Sequence, residues 1–335
     1  MNNYFAIKFS EQSLLYLDQT KLPMQEVYIK TDDYERIASA IERLELRGAP
    51  LIGISAAFAI AISFKSISSD HKNHFEKVYK RLASTRPTAV NLFYALDRMK
   101  NTFENISDYA DTYQILIKEA QAILDYEELC SKRISEIGSN IFTKKSNVLT
   151  HCNTGALAAA GFGTAFAVIK KGFDDGFVKH VYVDETRPLL QGLRLTAYEL
   201  KKNKIPFTVL TDSMAAILMQ QGEVDLVITG ADRIALNGDS ANKVGTYNLA
   251  VICNFHNIPF YIAAPSTTID RKIAAGNEIE IEYRNGSEIL SFDGKQITDP
   301  DLQTFSPAFD VTPAHLIKGI ITEEDFYSFP YNFIK

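Results

Sequence analysis

Cysteine is scarce in this sequence, with three in 335 residues, at positions 130, 152 and 253. No CxxC and no Cys/His ligand spacing joins them, so neither a structural zinc nor a disulfide framework is indicated, and a reducing cytoplasm is the expected location. Positive charge is also short: 35 Lys and Arg stand against 41 Asp and Glu, giving a formal net charge of -6. The basic residues are scattered, which argues against a nucleic-acid partner, since that would need a basic face. Long apolar runs are missing too. The opening MNNYFAIKFSEQ lacks a charged segment followed by a long apolar one, so no secretory signal is read. The most apolar stretch, Leu51 to Phe64, is too short and too rich in small residues to span a bilayer and reads as a buried helix. Tandem repeats, low-complexity tracts and the nucleotide-loop patterns GxxxxGK[ST] and GxGxxG are absent. What remains, 46% hydrophobic and 23% charged residues, is an ordinary globular composition with length enough for two domains.

Periodicity divides the chain in two. Leu15 to Leu17 and Val27 to Ile29 suggest short strands around a Thr20 to Pro23 turn, a small β cap. Tyr34, Ile37, Ile41 and Leu44 then recur at helical spacing, with Asp32 and Asp33 placed to cap the start. Further helical stretches follow at Pro50 to Lys65, His71 to Ser84, Val90 to Thr102 and Asp108 to Gly138. Beyond these, apolar runs near Val148 to Thr150, Val178 to Val183, Phe207 to Leu210, Leu226 to Thr229 and Phe260 to Ala263 alternate with helical segments. That alternation predicts parallel strands with crossover helices, a Rossmann-like sheet. The expected fold is therefore α/β, with residues 1–140 forming a β cap and a mainly helical domain. Residues 141–335 then form a Rossmann-like catalytic domain with a parallel sheet.

Ligands of such sheets bind beyond the carboxyl ends of the strands. There stand His151-Cys152-Asn153, Asp184-Glu185-Thr186-Arg187, Asp212, Gly230-Ala231-Asp232-Arg233 and Ala264-Pro265-Ser266. The stretch THCNTGALAAAGFGT from Thr150 predicts a strand, a small-residue turn and a helix, whose first N–H groups favour an anion. The same field would favour a thiolate at Cys152, although most single cysteines serve packing. The turn of Asn153, Thr154, Gly155 and Ala156 is the candidate phosphate cradle. Asp232 is either a general acid or a structural cap, and Arg233 could pair with it. Arg47, Arg86 and Arg187 each precede a Gly or Pro turn that would stiffen a phosphate fork, although each alone reads more often as an ordinary surface residue. Gln191, Asn242 and Lys243 lie near predicted helix starts and could hydrogen-bond sugar hydroxyls or phosphate, or simply be solvated. His151 adjoins Cys152, but neighbours on a strand point to opposite faces, so no Cys–His dyad is expected.

Seven segments in order resemble the methylthioribose-1-phosphate isomerase family. They are RGAPLIGISAAFAIA from Arg47, RPTAVNLFYALDRM from Arg86, THCNTGALA from Thr150, VYVDETRPLLQGLRLTAYEL from Val181, TGADRIALNGDSANKVGTYNLAV from Thr229, PFYIAAPSTTID from Pro259 and PAFDVTPAHLI from Pro307. The resemblance spans about Ser13 to Glu323. It implies a homodimer acting on a small sugar phosphate in methionine salvage, with no metal or nucleotide cofactor. It further implies that Cys152 and Asp232 are the catalytic pair, and that Arg47, Gly48, Ala49, Arg86, Gln191, Asn242 and Lys243 bind substrate.

Relatives of that family isomerise 5-deoxyribose 1-phosphate or ribose 1,5-bisphosphate. Others are non-catalytic regulatory subunits of the exchange factor for translation initiation factor 2, and retention of both Cys152 and Asp232 favours an enzyme. The chain departs from the family pattern at Ile279-Glu280-Ile281-Glu282-Tyr283-Arg284-Asn285, where IPIEER followed by an acid is usual. This leaves open a 5-methylthio or a 5-deoxy substituent on the sugar.

Overall fold

Loose alternation at the start of the chain builds three strands, β1 (Ile7–Ser10), β2 (Ser13–Leu17) and β3 (Tyr28–Thr31), paired antiparallel in that order. Leu14, Tyr16 and Leu17 of the middle strand are buried. Helix α1 (Tyr34–Glu42) follows, and the Asp33 carboxylate accepts the Glu35 N–H at 2.9 Å, the cap expected from sequence. Then come α2 (Ala49–Ser63), α3 (His71–Ala83), α4 (Val90–Glu104) and α5 (Thr112–Gly138). Helix α2 is apolar on every side, and every residue from Leu51 to Ile62 is buried. Gly53 lets α4 approach closely, since a Cβ there would lie 2.5 Å from the Asn91 carbonyl oxygen.

The computed structural model describes residues 4–292 and 294–333. Contacts divide the chain into a first unit of residues up to Arg133 together with Thr154–Ala167, and a second of Ile134–Asn153 with Val168 onward. A single crossing near residue 140 does not describe this division. The return of Thr154–Ala167 has a physical cause within the first unit. Gln19 Nε2 donates to the Leu157 carbonyl at 2.7 Å, Leu51 N–H to the Ala158 carbonyl at 3.3 Å, and Phe162 N–H to Ser131 Oγ at 2.9 Å.

The second unit is organised by a seven-stranded sheet. Its strands are β4 (Ser146–His151), β5 (Val178–Glu185), β6 (Phe207–Thr211), β7 (Leu226–Thr229), β10 (Phe260–Ala263), β15 (Gly319–Ile321) and β16 (Phe326–Tyr327). They lie in the order β16-β15-β10-β7-β4-β5-β6, parallel throughout except for β16 at one edge. Read from β4 as the first strand, the six parallel members run third, second, first, fourth, fifth, sixth across the sheet, which is the Rossmann order with its switch point between β4 and β7. Helices α6 (Ala165–Asp174), α7 (Ala197–Lys202), α8 (Ala215–Gln220) and α9 (Thr246–His256) fall between strands. A second sheet, β11 (Ile269–Asp270), β8 (Arg233–Ala235), β9 (Ser240–Lys243) and β14 (Phe309–Thr312) in that order, and an antiparallel pair, β12 (Ser291–Phe292) and β13 (Lys295–Gln296), have no counterpart in the sequence reading. Among the described residues no helix is long and apolar enough to cross a membrane.

One local expectation is corrected. The turn after β4 does not lead directly into a helix: residues beyond Cys152 form turns, and α6 begins only at Ala165. Gly161 and Gly163 take φ of +59° and +81°, and Thr164 N–H returns to the Thr154 carbonyl at 2.8 Å, so the small-residue run closes into a loop. The helix field invoked for a thiolate therefore does not act at Cys152.

Candidate active site

Cys152 follows the last residue of β4 and has φ +61°, the left-handed region that non-glycine residues seldom adopt. Such a conformation costs roughly 1–3 kcal/mol and persists only where the surroundings over-determine it. Here the surroundings come from one short π-helix, Gly192–Thr196. Thr196 Oγ1 donates to the Cys152 carbonyl at 2.5 Å, and the Cys152 thiol donates to Gln191 Oε1 at 3.1 Å. The wider π turn brings Gln191 and Thr196 to the same cysteine, in keeping with the frequency of π-bulges at functional sites. Cys152 is 6% exposed. Asn153, expected in the phosphate turn, turns its side chain to the same support: Nδ2 donates to Glu199 Oε1 at 2.7 Å and to Thr196 Oγ1 at 3.2 Å.

Asp232 leaves the carboxyl end of β7, the strand beside β4. It is partly buried, and its N–H donates to the Ala241 carbonyl at 2.9 Å, which sets it next to Asn242. The switch point of the sheet thus has a thiol on one side and a carboxyl group on the other. Arg233 reaches Asp270, Nη1 to Oδ2 at 3.9 Å.

Asn242 and Lys243 end β9, and both are buried. Asn242 Nδ2 donates to Thr246 Oγ1 at 2.9 Å; Lys243 Nζ donates to the Ala308 carbonyl at 2.9 Å and sits 4.7 Å from the centre of the Phe309 ring. The turn after them is gripped twice. Asp310 accepts the N–H groups of Gly245 at 2.6 Å and Tyr247 at 3.0 Å, and His151 Nε2 donates to the Val244 carbonyl at 3.0 Å. The other ring nitrogen, Nδ1, bonds Asp184 Oδ2 at 2.8 Å. No Cys–His dyad forms through these two bonds, as strand alternation predicts. Burial would lower the His151 pKa, but the bond and charge of Asp184, the Val244 carbonyl and the charge of Asp310 outweigh it, and the net direction is up. Burial raises Asp310, against the N–H groups it accepts.

Within the first unit, Gly48 takes φ +96° and packs against the Ala158 backbone where a Cβ would collide, so Arg47, Gly48 and Ala49 meet the loop that carries Thr154, Gly155 and Ala156. Arg47 is buried, and Arg86 is partly buried in the turn before α4. Arg187 is corrected as a phosphate candidate: its Nη2 donates to the carbonyls of Glu288, Ile289 and Ser291, at 3.2, 3.2 and 2.7 Å, and its guanidinium lies 5.3 Å from the Phe292 ring centre. Thr196, Glu199 and Asp310 were not singled out from sequence, and Asp184 stood among the strand-end residues without its pairing to His151. A buried histidine at a strand end needs partners for both nitrogens, so Asp184 at the matching end of the next strand could have been inferred.

Comparison with known proteins decides the family. A family model described as the Initiation factor 2 subunit family matches residues 45–326. A protein of Desulfitobacterium hafniense named methylthioribose-1-phosphate isomerase is 49% identical over 333 residues, covering 98% of this chain and 96% of its own. This chain belongs to the methylthioribose-1-phosphate isomerase family, within the Initiation factor 2 subunit family. The crystal structure of 5-methylthioribose 1-phosphate isomerase from Pyrococcus horikoshii OT3 matches with a TM-score of 0.92 at 38% identity, over 98% of this chain and 93% of the other. That of translation initiation factor eIF-2B, subunit delta, from A. fulgidus matches with a TM-score of 0.88 at 36% identity, over 98% and 97%. The methylthioribose-1-phosphate isomerase family therefore shares its α/β fold and parallel-rich sheet with a protein named as an initiation factor, and the residues at the switch point must carry the functional argument.

Proposed function

We propose that this chain is an aldose–ketose isomerase that converts 5-methylthioribose 1-phosphate to 5-methylthioribulose 1-phosphate in methionine salvage. The supporting observation is the placement of Cys152 and Asp232 beyond the ends of adjacent parallel strands at the switch point, with Gln191 bonded to the Cys152 sulfur and Asp232 bonded through its N–H to Ala241, the residue before Asn242. Cys152 and Asp232 are the catalytic pair. Arg47, Gly48, Ala49, Arg86, Gln191, Asn242 and Lys243 bind substrate, and the backbone of Asn153, Thr154, Gly155 and Ala156 holds the phosphate. These roles rest on the family motifs.

Phosphate on the anomeric oxygen blocks the usual hemiacetal opening, so C1–O4 cleavage needs an acid. Protonated Asp232 donates to O4 as that bond breaks, leaving an oxocarbenium-like C1. Hydrogen then moves from C2 to C1 with its electron pair, and the C2 hydroxyl loses its proton to give the ketone. The alternative is removal of the C2 proton by a Cys152 thiolate through an enediol. We favour the direct transfer, with Cys152, 6% exposed and 3.1 Å from Gln191 Oε1, lining a dry wall that prolongs the cation. Substrate deuterated at C2 separates the routes: full retention at product C1 is expected, and washout into solvent rules out direct transfer.

Incubation with methylthioribose 1-phosphate should yield ketose in a colour assay. Absence of turnover on this and every related sugar 1-phosphate would instead favour a non-catalytic sensor. The family reading also assigns a homodimer, tested by light scattering at twice the chain mass.

The 5-deoxy substrate stays in view because of one contact chain. Glu282 carbonyl accepts Ala308 N–H at 2.8 Å, and Ser306 carbonyl accepts Arg284 N–H at 2.8 Å. The departing segment thereby adjoins the stretch leading into β14, whose Ala308 carbonyl takes Lys243.

A further inference from the structure

We propose that His151 is a positioning residue: bonded to Asp184 and donating to the Val244 carbonyl, it locks the turn that bears Asn242 and Lys243 to the strand end that bears Cys152. The proposal rests on the function assigned above. His151 and Asp184 are both 0% exposed, so neither can turn to water for a partner. A carbonyl oxygen can only accept, and Val244 therefore requires a hydrogen on Nε2. On the far side Asp184 fixes the ring from the next strand, where His151 and Asp184 are register partners. The turn leaves no room for slack. Gly245 has φ +104°, and a Cβ there would lie 2.8 Å from His151 Cε1. Asp310 of β14 pins the same turn from its other face through the Gly245 and Tyr247 N–H groups. The charged groups around the ring are thus Asp184 of β5 and Asp310 of β14, with Asp212, which accepts Thr186 Oγ1 at 3.0 Å, acting on Asp184. One imidazole consequently spans the two parts of the sequence that carry the thiol and the amide–ammonium pair. A buried, hydrogen-bonded group of this kind passes any shift of its own to both.

Two variants separate its bonds. In His151→Asn the amide nitrogen stands near Nδ1 and gives up Val244; in His151→Gln it stands near Nε2 and keeps that reach. His151→Asn should lower kcat/KM on the order of ten- to a hundredfold, mainly by raising KM, because misplacement of about 1 Å costs that much. His151→Gln should recover most of the loss. Amide hydrogen exchange at Gly245 and Tyr247 in the unliganded protein should rise in His151→Asn and return towards wild type in His151→Gln. Equal loss in both variants, or unchanged exchange in His151→Asn, overturns the proposal. If His151→Asn does not fold, Gly245→Ala pushes the turn away from an intact ring, and an unchanged KM there overturns it as well. A wild-type protein without turnover would refute the isomerase reading, while the exchange measurement would still decide the clamp.

Discussion

Cys152 is held in an unfavourable backbone conformation by a hydroxyl behind it and a carboxamide beside it, and both come from a single helical irregularity. Replacing Cys152 with Ser or Asp232 with Asn should each lower kcat by about 100-fold or more with the fold intact, as judged by circular dichroism. Near wild-type turnover in either variant would remove that residue from the mechanism. Thr196→Val leaves the Cys152 carbonyl without its donor, and a buried acceptor so stranded costs about 1–3 kcal/mol. Denaturant unfolding should show that loss together with a fall in kcat; an unaltered midpoint would mean that the carbonyl finds another donor. Cys152 and Asp232 stand out in the sequence as polar residues where a strand pattern stops, and resemblance to the family motifs makes them the expected pair. Gln191 was legible as a polar group but not as the acceptor of the thiol. Thr196 carried no signal, because its value comes from the π turn, which shifts it out of helical phase.

The helices and five of the six parallel strands announce themselves through periodicity, whereas β15 and the strands of the second sheet do not. β8, β9, β11 and β14 have between two and four residues each; β8 and β9 form a local hairpin, but the pairings of β9 with β14, such as Asn242 with Asp310, and of β8 with β11 join distant parts of the chain. No local pattern encodes such a pairing. The packing of α2 on α4 is likewise set at one point. Gly53→Ala would place a Cβ 2.5 Å from the Asn91 carbonyl, a backbone atom that moves only with its helix. The expected cost is about 1–3 kcal/mol, seen as a lower Tm; an unchanged Tm would show that the two helices yield. The loop from Thr154 to Thr164 teaches the converse, since its small residues read as a helix start and instead close on themselves through glycines of positive φ.

Across the molecule, the buried charges make stability depend on pH. The His151 pKa is raised above its ordinary 6.5, so its stabilisation is complete below that value and is lost as pH climbs through the raised one. Burial also raises Asp184 and Asp310 from 3.8, which works in the same direction at lower pH. The Tm of wild type should therefore fall on the alkaline side more steeply than that of His151→Asn; parallel curves would contradict the raised value. Substrate choice is a property of the assembled site. A pocket shaped for a methylthio group should prefer it over a 5-deoxy sugar by roughly 10- to 200-fold in kcat/KM, the range that one small apolar group supplies. A ratio near one or below would move the assignment to the 5-deoxy substrate. Arg86→Ala should chiefly raise KM, and an unchanged KM would remove Arg86 from substrate binding.

Chain order alone settled much of this protein: the helical half, the alternation of strands and helices, the polar residues at strand ends, and the family motifs that single out a thiol and an acid. The helical half and the strand–helix alternation are linear properties that hydrophobic periodicity transmits directly, whereas the thiol and the acid are singled out by resemblance to the family motifs. Only the folded chain decided that β4 and β7 are neighbours, that a π turn faces Cys152, that His151 faces away from it to grip Val244, and that Arg187 is spent on carbonyls. Each of these depends on which groups meet across long separations, and a buried polar atom takes whichever partner the packing brings within reach.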